Sequence, residues 1–516
     1  MPPSLLRVLD PLTAEPLPNG LAPRPVMYVG DELIVGSASR RDAGRKHETF
    51  EPPLALLARA VEALDAELVP PGHSGTTSTM RFAATTPRPS APMTTAVRVL
   101  PRGNRARPVD AWTVLAQAHE LNHESARGLH LNHVLQLAGP GWHGMPYYAS
   151  MPYYASMPYY ASMPYYASMP YYASMPAGGS PSAEYGRPGS GGRTPVQLVL
   201  PDPARRARTL DRPPLVVVPD TALGQHPWFA DPATATDEVT VMGQRLGITP
   251  SPHDGTPLDG RIAPYAGHAT FIAGLVRQLC PEARIEVIPV LDDAGTMPEG
   301  VLIHVLTQLL ERQRRAFAGD GPASDIIDVL SLSLGYYHED PDDPLEDAPL
   351  RLLLDDLGRA GVAVVASAGN QSTTDPLFPA AFAPLPGTTH EPGRVPLVSV
   401  GARNPDGTIA YFSNAGQWIS CHRPGAALVS TVPTDLNGEL QAVAGLASTA
   451  GPRATIDPEN FSSGFATWSG TSFAAPVLAG QLAAQICDHP LVANTDRDSA
   501  LTRAWAAITE ELGWTP

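Results

Sequence analysis

The sequence predicts an α/β fold over residues 194–516, a mostly parallel sheet flanked by helices, preceded by a small α+β domain at 1–140. Uninterrupted apolar runs at 215–218 and 362–365 indicate parallel strands, because helices cover both faces of such strands. A helix-like run at 473–487 adds the helical component of such a domain. A low-complexity linker at 141–193 separates the two parts.

The N-terminal domain mixes strand and helix patterns. Apolar runs at 31–36, 96–100 and 129–137 predict strands, and the last of them alternates. Residues 54–68 and 111–124 have helical periodicity. These elements are sufficient for a small α+β domain.

The linker contains the hexapeptide Met-Pro-Tyr-Tyr-Ala-Ser five times in succession, at 145–174. A proline in every sixth position excludes a regular helix, so we expect an extended, partly polyproline-like segment. Three interpretations are open. The repeat is a linker expanded without selection, a set of peptide units released by proteolysis, or a tethered, substrate-like inhibitor. The identity of the copies letter for letter favours a role that needs sequence.

Composition excludes several functions. A formal net charge of −16 argues against binding to nucleic-acid phosphates. The N-terminus has no basic segment followed by a long apolar core, and no run of 18 apolar residues occurs, so we expect a cytoplasmic protein without a membrane span. Secretion by another route stays open.

Metal and disulfide sites are not expected. Three cysteines, at 280, 421 and 487, are too few and too scattered for a disulfide framework or a zinc site. The acidic run at 338–347 lacks the ligand spacing of a calcium loop, and we interpret it as a solvated loop.

One serine lies in a setting that suits a nucleophile. Ser472 belongs to the string Gly-Thr-Ser-Phe-Ala-Ala-Pro at 470–476, which leads into a helix-like run at 473–487. A hydroxyl at a helix N-terminus faces backbone N–H groups that favour negative charge. Pro476 is expected in the first turn, where a missing N–H is harmless. A nucleophilic serine also needs a base and an oxyanion donor.

The string at 470–476 resembles the nucleophile segment of the subtilisin-like serine proteases, the subtilases. Residues 265–274, Tyr-Ala-Gly-His-Ala-Thr-Phe-Ile-Ala-Gly, are similar to the family's histidine segment, and 214–223 to its strand that ends in aspartate. The resemblance implies that Ser472 is the nucleophile, His268 the base and Asp220 the carboxylate that orients it. This chain departs from the family pattern at four positions: Pro219, Ala222, Ala269 and Phe271.

Two more segments complete the resemblance. Residues 361–370 are similar to the segment whose asparagine completes the oxyanion hole, which implies that role for Asn370. Residues 328–335 resemble the strand at whose edge an extended substrate is added. The implied walls of the substrate pocket are Ser333, Leu334 and Gly335 on one side and Ser367, Ala368 and Gly369 on the other. Tyr336 stands where the family often has a second glycine.

The resemblance implies a serine endopeptidase that hydrolyses peptide or protein substrates through an acyl-enzyme and needs no cofactor or metal. The chain's own repeat at 145–174 is a candidate substrate, which would make the protein self-processing. Subtilases keep a propeptide before the catalytic domain, so residues 1–140 are either such an inhibitor or an unrelated partner-binding domain. A catalytically silent scaffold or precursor, whose repeats are released or bind a partner, is the alternative function.

Overall fold

The structure is a computed structural model. It describes residues 6–36, 52–69, 95–102, 109–137, 192–248, 262–292, 295–343 and 345–516. The repeat at 145–174, with the predicted extended conformation, lies outside these residues. The chain re-enters the description at Gly192, and the neighbouring Arg193 is buried. The Arg193 guanidinium lies over the ring of Trp468 at 4.8 Å and donates a hydrogen bond to the carbonyl of Ala263 at 3.1 Å.

The N-terminal part is an antiparallel sheet with helices packed on it. Its strands are β1 (Leu6–Val8), β2 (Met27–Val35), β3 (Ala66–Val69), β4 (Thr95–Pro101) and β5 (Leu129–Leu137). Its helices are α1 (Pro53–Ala63), α2 (Ala111–Leu121) and α3 (His123–Ala126). Asp110 caps α2 by accepting a hydrogen bond from the N–H of Trp112 at 2.9 Å. Leucine and valine side chains from both layers form one core.

The helix predicted at 54–68 is shorter than expected. It ends at Ala63, the backbone turns at Asp65 with φ +54°, and β3 begins at Ala66. β3 pairs antiparallel with β4. The last residues of the helical pattern also alternate, and the pairing with β4 decides between the two structures.

The remaining strands lie in the C-terminal part. They are β6 (Thr194–Pro195), β7 (Leu215–Asp220), β8 (Ala235–Thr236), β9 (Thr240–Val241), β10 (Gln244–Arg245), β11 (Arg284–Pro289), β12 (Thr296–Pro298), β13 (Val329–Leu332), β14 (Leu334–Tyr337), β15 (Ala363–Ser367), β16 (Leu377–Phe378), β17 (Val398–Arg403), β18 (Cys421–Pro424), β19 (Leu428–Thr431), β20 (Gly445–Ser448), β21 (Gly451–Ala454) and β22 (Phe465–Trp468). The helices are α4 (His268–Leu279), α5 (Glu299–Phe317), α6 (Pro349–Arg359), α7 (Thr471–Asp488) and α8 (Arg497–Leu512).

A parallel sheet forms the centre of this part, which confirms the predicted fold class. Among the described residues its order is β18-β17-β15-β13-β7-β11-β8, and each pair is parallel. One apolar core packs α4 and α7 on one face of the sheet, and a second packs α5 and α6 on the other. None of the helices in the described ranges is both long and apolar enough to cross a membrane.

The two parts share one strand, β5. Gln136 pairs with Thr296 of β12 and also with Gly335 of β14, so β5 lies between these two strands of the C-terminal part. All these pairings are antiparallel, and the other end of β5 pairs with β2. The N-terminal sheet therefore continues into the edge strand that the sequence predicts to bind substrate.

Candidate active site

Asp220 is the last residue of β7 and is fully buried at the carboxyl edge of the parallel sheet. Its carboxylate accepts hydrogen bonds from the N–H of Thr221 at 2.7 Å and from the Thr221 hydroxyl at 3.2 Å. These bonds fix the orientation of the carboxylate. At Pro219 the missing N–H is tolerated, because β13 pairs with β7 only at Val216 and Val217.

His268 is the first residue of α4, and its Nδ1 lies 2.8 Å and 3.0 Å from the two carboxylate oxygens of Asp220. This contact requires that Nδ1–H is the donor, which leaves Nε2 as the basic nitrogen. Nε2 is buried, and no atom of the described residues forms a hydrogen bond to it. Gly267 precedes the helix with φ +79°, a conformation that favours glycine.

Aromatic side chains surround the imidazole of His268. The ring of Trp468 meets it edge-on at 5.6 Å, and the ring of Phe473 lies at 5.2 Å. Phe271, a departure from the family pattern, fills the space beside Phe473 at a centroid distance of 4.5 Å. Ala269 donates its N–H to the hydroxyl of Thr221 at 3.1 Å. The departures at 269 and 271 are thus accommodated by packing that leaves the Asp220–His268 contact intact.

Ser472 is the second residue of α7 and is buried. Its hydroxyl donates to the carbonyl of Ser333 at 3.3 Å, and the Ser333 hydroxyl donates to the carbonyl of Ser472 at 2.8 Å. The two serines are therefore joined by reciprocal bonds.

The position predicted for Pro476 is wrong. It is the sixth residue of α7, inside the helix and beyond the first turn. A residue there would normally donate its N–H to the carbonyl of Ser472, four residues earlier, and proline cannot. That carbonyl instead accepts the hydroxyl of Ser333. The Ser333 hydroxyl thus supplies a donor where Pro476 cannot, and the bond connects the serine helix to the segment predicted to bind substrate.

Asn370 follows β15 and is fully buried. Its Oδ1 accepts hydrogen bonds from the N–H of Thr471 at 2.8 Å and from the Thr471 hydroxyl at 2.9 Å. Because the oxygen of the amide faces Thr471, its NH₂ group faces the other way. The segment is held further by the Gly369 N–H, which donates to the Thr471 hydroxyl at 3.0 Å.

The six residues predicted as pocket walls are buried around this centre: Ser333, Leu334, Gly335, Ser367, Ala368 and Gly369. Gly369 has φ +99°, and a Cβ there would lie 2.4 Å from Nδ2 of Asn414, so the position requires glycine. Leu334 and Gly335 pair with Leu137 and Gln136 of β5. In the structure the predicted substrate edge is thus occupied by a strand of the same chain.

A second buried cluster was missed by the sequence interpretation. His133 of β5 lies 3.1 Å (Nδ1) from a carboxylate oxygen of Glu299 and 2.6 Å (Nε2) from one of Glu339. The ring of Tyr336 stacks on His133 at 4.4 Å, with an interplanar angle of 18°. The acidic run is therefore not simply a solvated loop, because His338 and Glu339 are buried. The available signal was a histidine within the apolar strand pattern of 129–137.

The charges of this cluster support each other. Burial alone lowers the pKa of His133, but the carboxylates of Glu339 and Glu299 outweigh it and raise the pKa to about 9. Burial raises the pKa of Glu339, but the neighbouring histidines, His338 and His133, hold it well below its usual range. The imidazole is consequently protonated at neutral pH.

Two groups of side chains have the proximity that a metal site needs, with ligand atoms within 4.8 Å of one another: His133, His338 and Glu339, and Cys280, Glu282 and Cys487. In the first group, two of the potential ligand atoms, His133 Nε2 and a carboxylate oxygen of Glu339, already contact each other. In the second, the Arg208 guanidinium lies 3.2 Å from the Cys487 sulfur. The cysteines at 280 and 487 are therefore neighbours, although their sequence positions are far apart.

The Cys487 thiol is more acidic than an ordinary one. A hydrogen bond from Cys280 is the main cause, burial opposes it, and Arg208 adds to it, so the pKa falls to about 7.

Comparison with known proteins gives a family. The model of the subtilase family, which describes the S8 peptidases, matches residues 219–509, more than half of the chain. Subtilisin E of Bacillus subtilis is 24% identical over 239 residues, which cover 44% of this chain and 48% of that protein. An intracellular serine protease of Paenibacillus polymyxa is 26% identical over 232 residues, covering 42% and 53%. The chain thus spans about half the length of the curated relatives it matches.

Two further similarities are a shorter match and a solved structure. The subtilisin-like protease het-Q2 of Podospora anserina is 32% identical over 135 residues, covering 26% of this chain and 32% of that protein. The crystal structure of a lanthipeptide protease is similar at 18% identity with a TM-score of 0.36, covering 59% of this chain and 76% of that one. On the match of the family model over more than half its length, this chain belongs to the subtilase family.

Proposed function

We propose that this chain is a serine endopeptidase that hydrolyses peptide bonds through an acyl-enzyme. The observation that carries the proposal is the contact of His268 Nδ1 with both carboxylate oxygens of Asp220, at 2.8 Å and 3.0 Å. It leaves a buried basic nitrogen on His268, in a fold whose serine segment begins a helix. Asp220 holds the ring and stabilises the imidazolium once it forms.

The proposed reaction uses these residues in turn. His268 Nε2 takes the proton of the Ser472 hydroxyl as the oxygen attacks the scissile carbonyl, and the oxyanion is stabilised by the Ser472 N–H and the Asn370 side chain. His268 then gives the proton to the leaving amine. A water molecule attacks the acyl-enzyme with His268 again as base, and Ser472 is restored.

Substrate binding itself would free the nucleophile. The Ser472 hydroxyl now donates to the Ser333 carbonyl. A peptide that extends the antiparallel pairing by one residue beyond Leu334 brings its own N–H to that carbonyl. The hydroxyl is then displaced and becomes available to His268.

A serine-directed fluorophosphonate probe tests the proposal on the full-length chain. We expect labelling of the wild type and none of Ser472→Ala, with Ser469→Ala, which alters a nearby serine, as the matched control. Absence of labelling in protein whose circular dichroism shows it folded would support the alternative, a catalytically silent scaffold.

We also propose that the N-terminal domain at 1–140 inhibits the catalytic domain at 194–516 through β5. The strand forms a backbone ladder with β12 and β14, and the Leu137 N–H donates to the Gly295 carbonyl at 3.0 Å. These are contacts of an extended peptide added to a sheet edge. In this register Leu137 pairs with Leu334, the residue after Ser333, and we assign Leu137 as the second residue before a scissile bond.

Self-processing follows from the same register. It predicts a cut after Ala138, the next residue in the sequence, and leaves the repeat at 145–174 as a second candidate target. Intact-mass and new N-terminus measurements on wild type and Ser472→Ala distinguish the two sites. Self-processing is wrong if both proteins stay full length under conditions in which the wild type cleaves an added peptide.

A further inference from the structure

The contacts of β5 continue upstream of the residues that pair with β12 and β14. We propose that Glu299, Glu339 and Tyr336, here called the acidic pocket, form a substrate subsite for a planar cationic side chain, arginine or protonated histidine, at the sixth residue before the scissile bond. The proposal rests on the proposed peptidase function and names part of its substrate class. His133 is the occupant seen in the structure.

The acidic pocket belongs entirely to the C-terminal part of the chain. Glu299 is the first residue of α5, Tyr336 lies in β14, and Glu339 follows that strand. All three are buried, and the Tyr336 hydroxyl lies 3.4 Å from Oε1 of Glu299. The occupant, in contrast, comes from β5 of the N-terminal part. The pocket therefore stays with the peptidase when its occupant leaves.

The pocket fits a flat cation on three sides. The two carboxylates contact opposite nitrogens of the His133 ring, at 3.1 Å and 2.6 Å, while Tyr336 stacks on its face. Guanidinium and imidazolium groups both combine a planar face with N–H donors at the edge. The ammonium of lysine has no such face, so lysine should be a weaker occupant.

Removing the cation would leave two buried carboxylates poorly compensated. Other titratable groups of the described residues also lie near the pocket. His338 has its Nε2 3.5 Å from Glu339, and His119, His130 and Tyr28 interact electrostatically with Glu339 from further away. Asp343 interacts in the same way with Tyr336. An apolar side chain in this place leaves buried charge unpaired, which is strongly unfavourable. The pocket thus discriminates by charge as well as by shape.

The register gives the position of the subsite. β12 pairs with Leu135 and Val134, and β14 pairs with Leu137 and Gln136, so a peptide on these strands must follow β5. Counting back from Leu137 as the second residue before the scissile bond, His133 is the sixth. Side chains alternate along a strand, so positions two, four and six face the same way. Backbone pairing with β12 and β14 ends at Val134, so the residue at position six is held by its side chain.

The test compares peptides that differ only at position six, which is Arg, His, Lys or Gln, with Leu at positions two and four. The enzyme is the full-length chain, allowed to process itself beforehand. We expect its kcat/KM for the Arg peptide to exceed that for the Gln peptide by about tenfold or more. For His the advantage should fall as the pH rises through the imidazole pKa of the peptide, about 6.5, whereas for Arg it should not. Glu299→Gln and Glu339→Gln should each reduce the preference, and Asp342→Asn, an exposed change of equal charge, should not.

A second measurement needs no variant enzyme. The nonapeptide with the sequence of residues 129–137 should inhibit the wild type, and replacing its second histidine by Gln should weaken inhibition about tenfold or more, while Arg should preserve it. Two results would overturn the subsite alone, provided that the enzyme takes the fluorophosphonate label. One is equal kcat/KM for the Arg and Gln peptides, and the other is equal inhibition by the original nonapeptide and its Gln variant. Protein that neither takes the label nor cleaves any peptide overturns the peptidase function, and the substrate subsite with it.

Discussion

Two buried histidines, His268 and His133, face carboxylates in different ways. His268 contacts one carboxylate through Nδ1, and its Nε2 has no hydrogen-bond partner among the described residues. His133 contacts a carboxylate through each nitrogen. One imidazole keeps a nitrogen available for proton transfer, and the other is closed on both sides.

This difference shows that a buried histidine–carboxylate pair is not in itself a catalytic signature. A base needs one ring nitrogen without a hydrogen-bond partner, while a partner on the other nitrogen fixes the tautomer. A histidine between two carboxylates is instead held as a cation. In the proposed function, His268 is the catalytic base and His133 is the occupant of a binding pocket. The predictions below test that assignment, beginning with the largest effect.

Ser472→Ala and His268→Ala should each reduce kcat by about 10⁶-fold, the magnitude known for the corresponding residues of subtilisin, a member of the same family. The measurement is hydrolysis of a quenched fluorescent peptide by the full-length chain. His133→Ala is the matched histidine control and should leave serine labelling intact. A comparable loss in His133→Ala would contradict the division of roles.

Asp220→Asn should lower kcat by about 10⁴-fold, because an amide can favour the wrong imidazole tautomer while preserving the geometry. KM should change little. The pH profile of kcat, measured beside the wild type, separates this effect from misfolding. Near-normal kcat would mean that Asp220 does not orient the base.

Asn370→Ala should lower kcat by about 10²–10³-fold, again the magnitude known for subtilisin, because an oxyanion donor is lost. The variant also removes the acceptor of the two bonds from Thr471. Thr471→Val, which loses the hydroxyl but retains its N–H bond, is the control for that structural effect. A loss confined to KM would be inconsistent with a role in the transition state.

His133 should give a pH-dependent stabilisation of the full-length chain. Its pKa is raised to about 9, so the stabilisation is fully present below about 6.5 and is lost as the pH rises through about 9. The linkage amounts to about 3 kcal/mol in the free energy of unfolding. Thermal unfolding of Ser472→Ala with and without His133→Gln, from pH 6 to 10, measures it. The two curves should converge at alkaline pH, and a constant gap would argue against titration of this ring.

The sequence predicted the parallel sheet because its strands are apolar over their whole length, and it brought Asp220, His268 and Ser472 into one hypothesis through short motifs. The catalytic roles of these residues stay predictions. Local pattern also gave the limits of β5 correctly, at 129 and 137.

Such local patterns could not predict contacts between segments that are far apart in the sequence. Glu299 and Glu339 meet His133 only because β5 inserts between β12 and β14, and composition alone favoured a solvated acidic loop. Cys280 and Cys487 come together because they end α4 and α7, two helices that pack on each other. Pro476 was misplaced by less than one turn, yet its significance depends on the hydroxyl of Ser333, which no local motif contains.

The shared strand has a consequence for kinetics. Leu129 and Leu131 of β5 lie in the N-terminal core, whereas Leu135 and Leu137 lie in a core of the C-terminal part. Cutting the chain beyond β5 breaks none of these contacts, but it turns rebinding from an intramolecular event into an intermolecular one. A tethered segment has an effective concentration of about millimolar, which cleavage replaces with the bulk concentration. Dilution, rather than the cut itself, would then set how quickly activity emerges, and concentrated samples would show the longer lag.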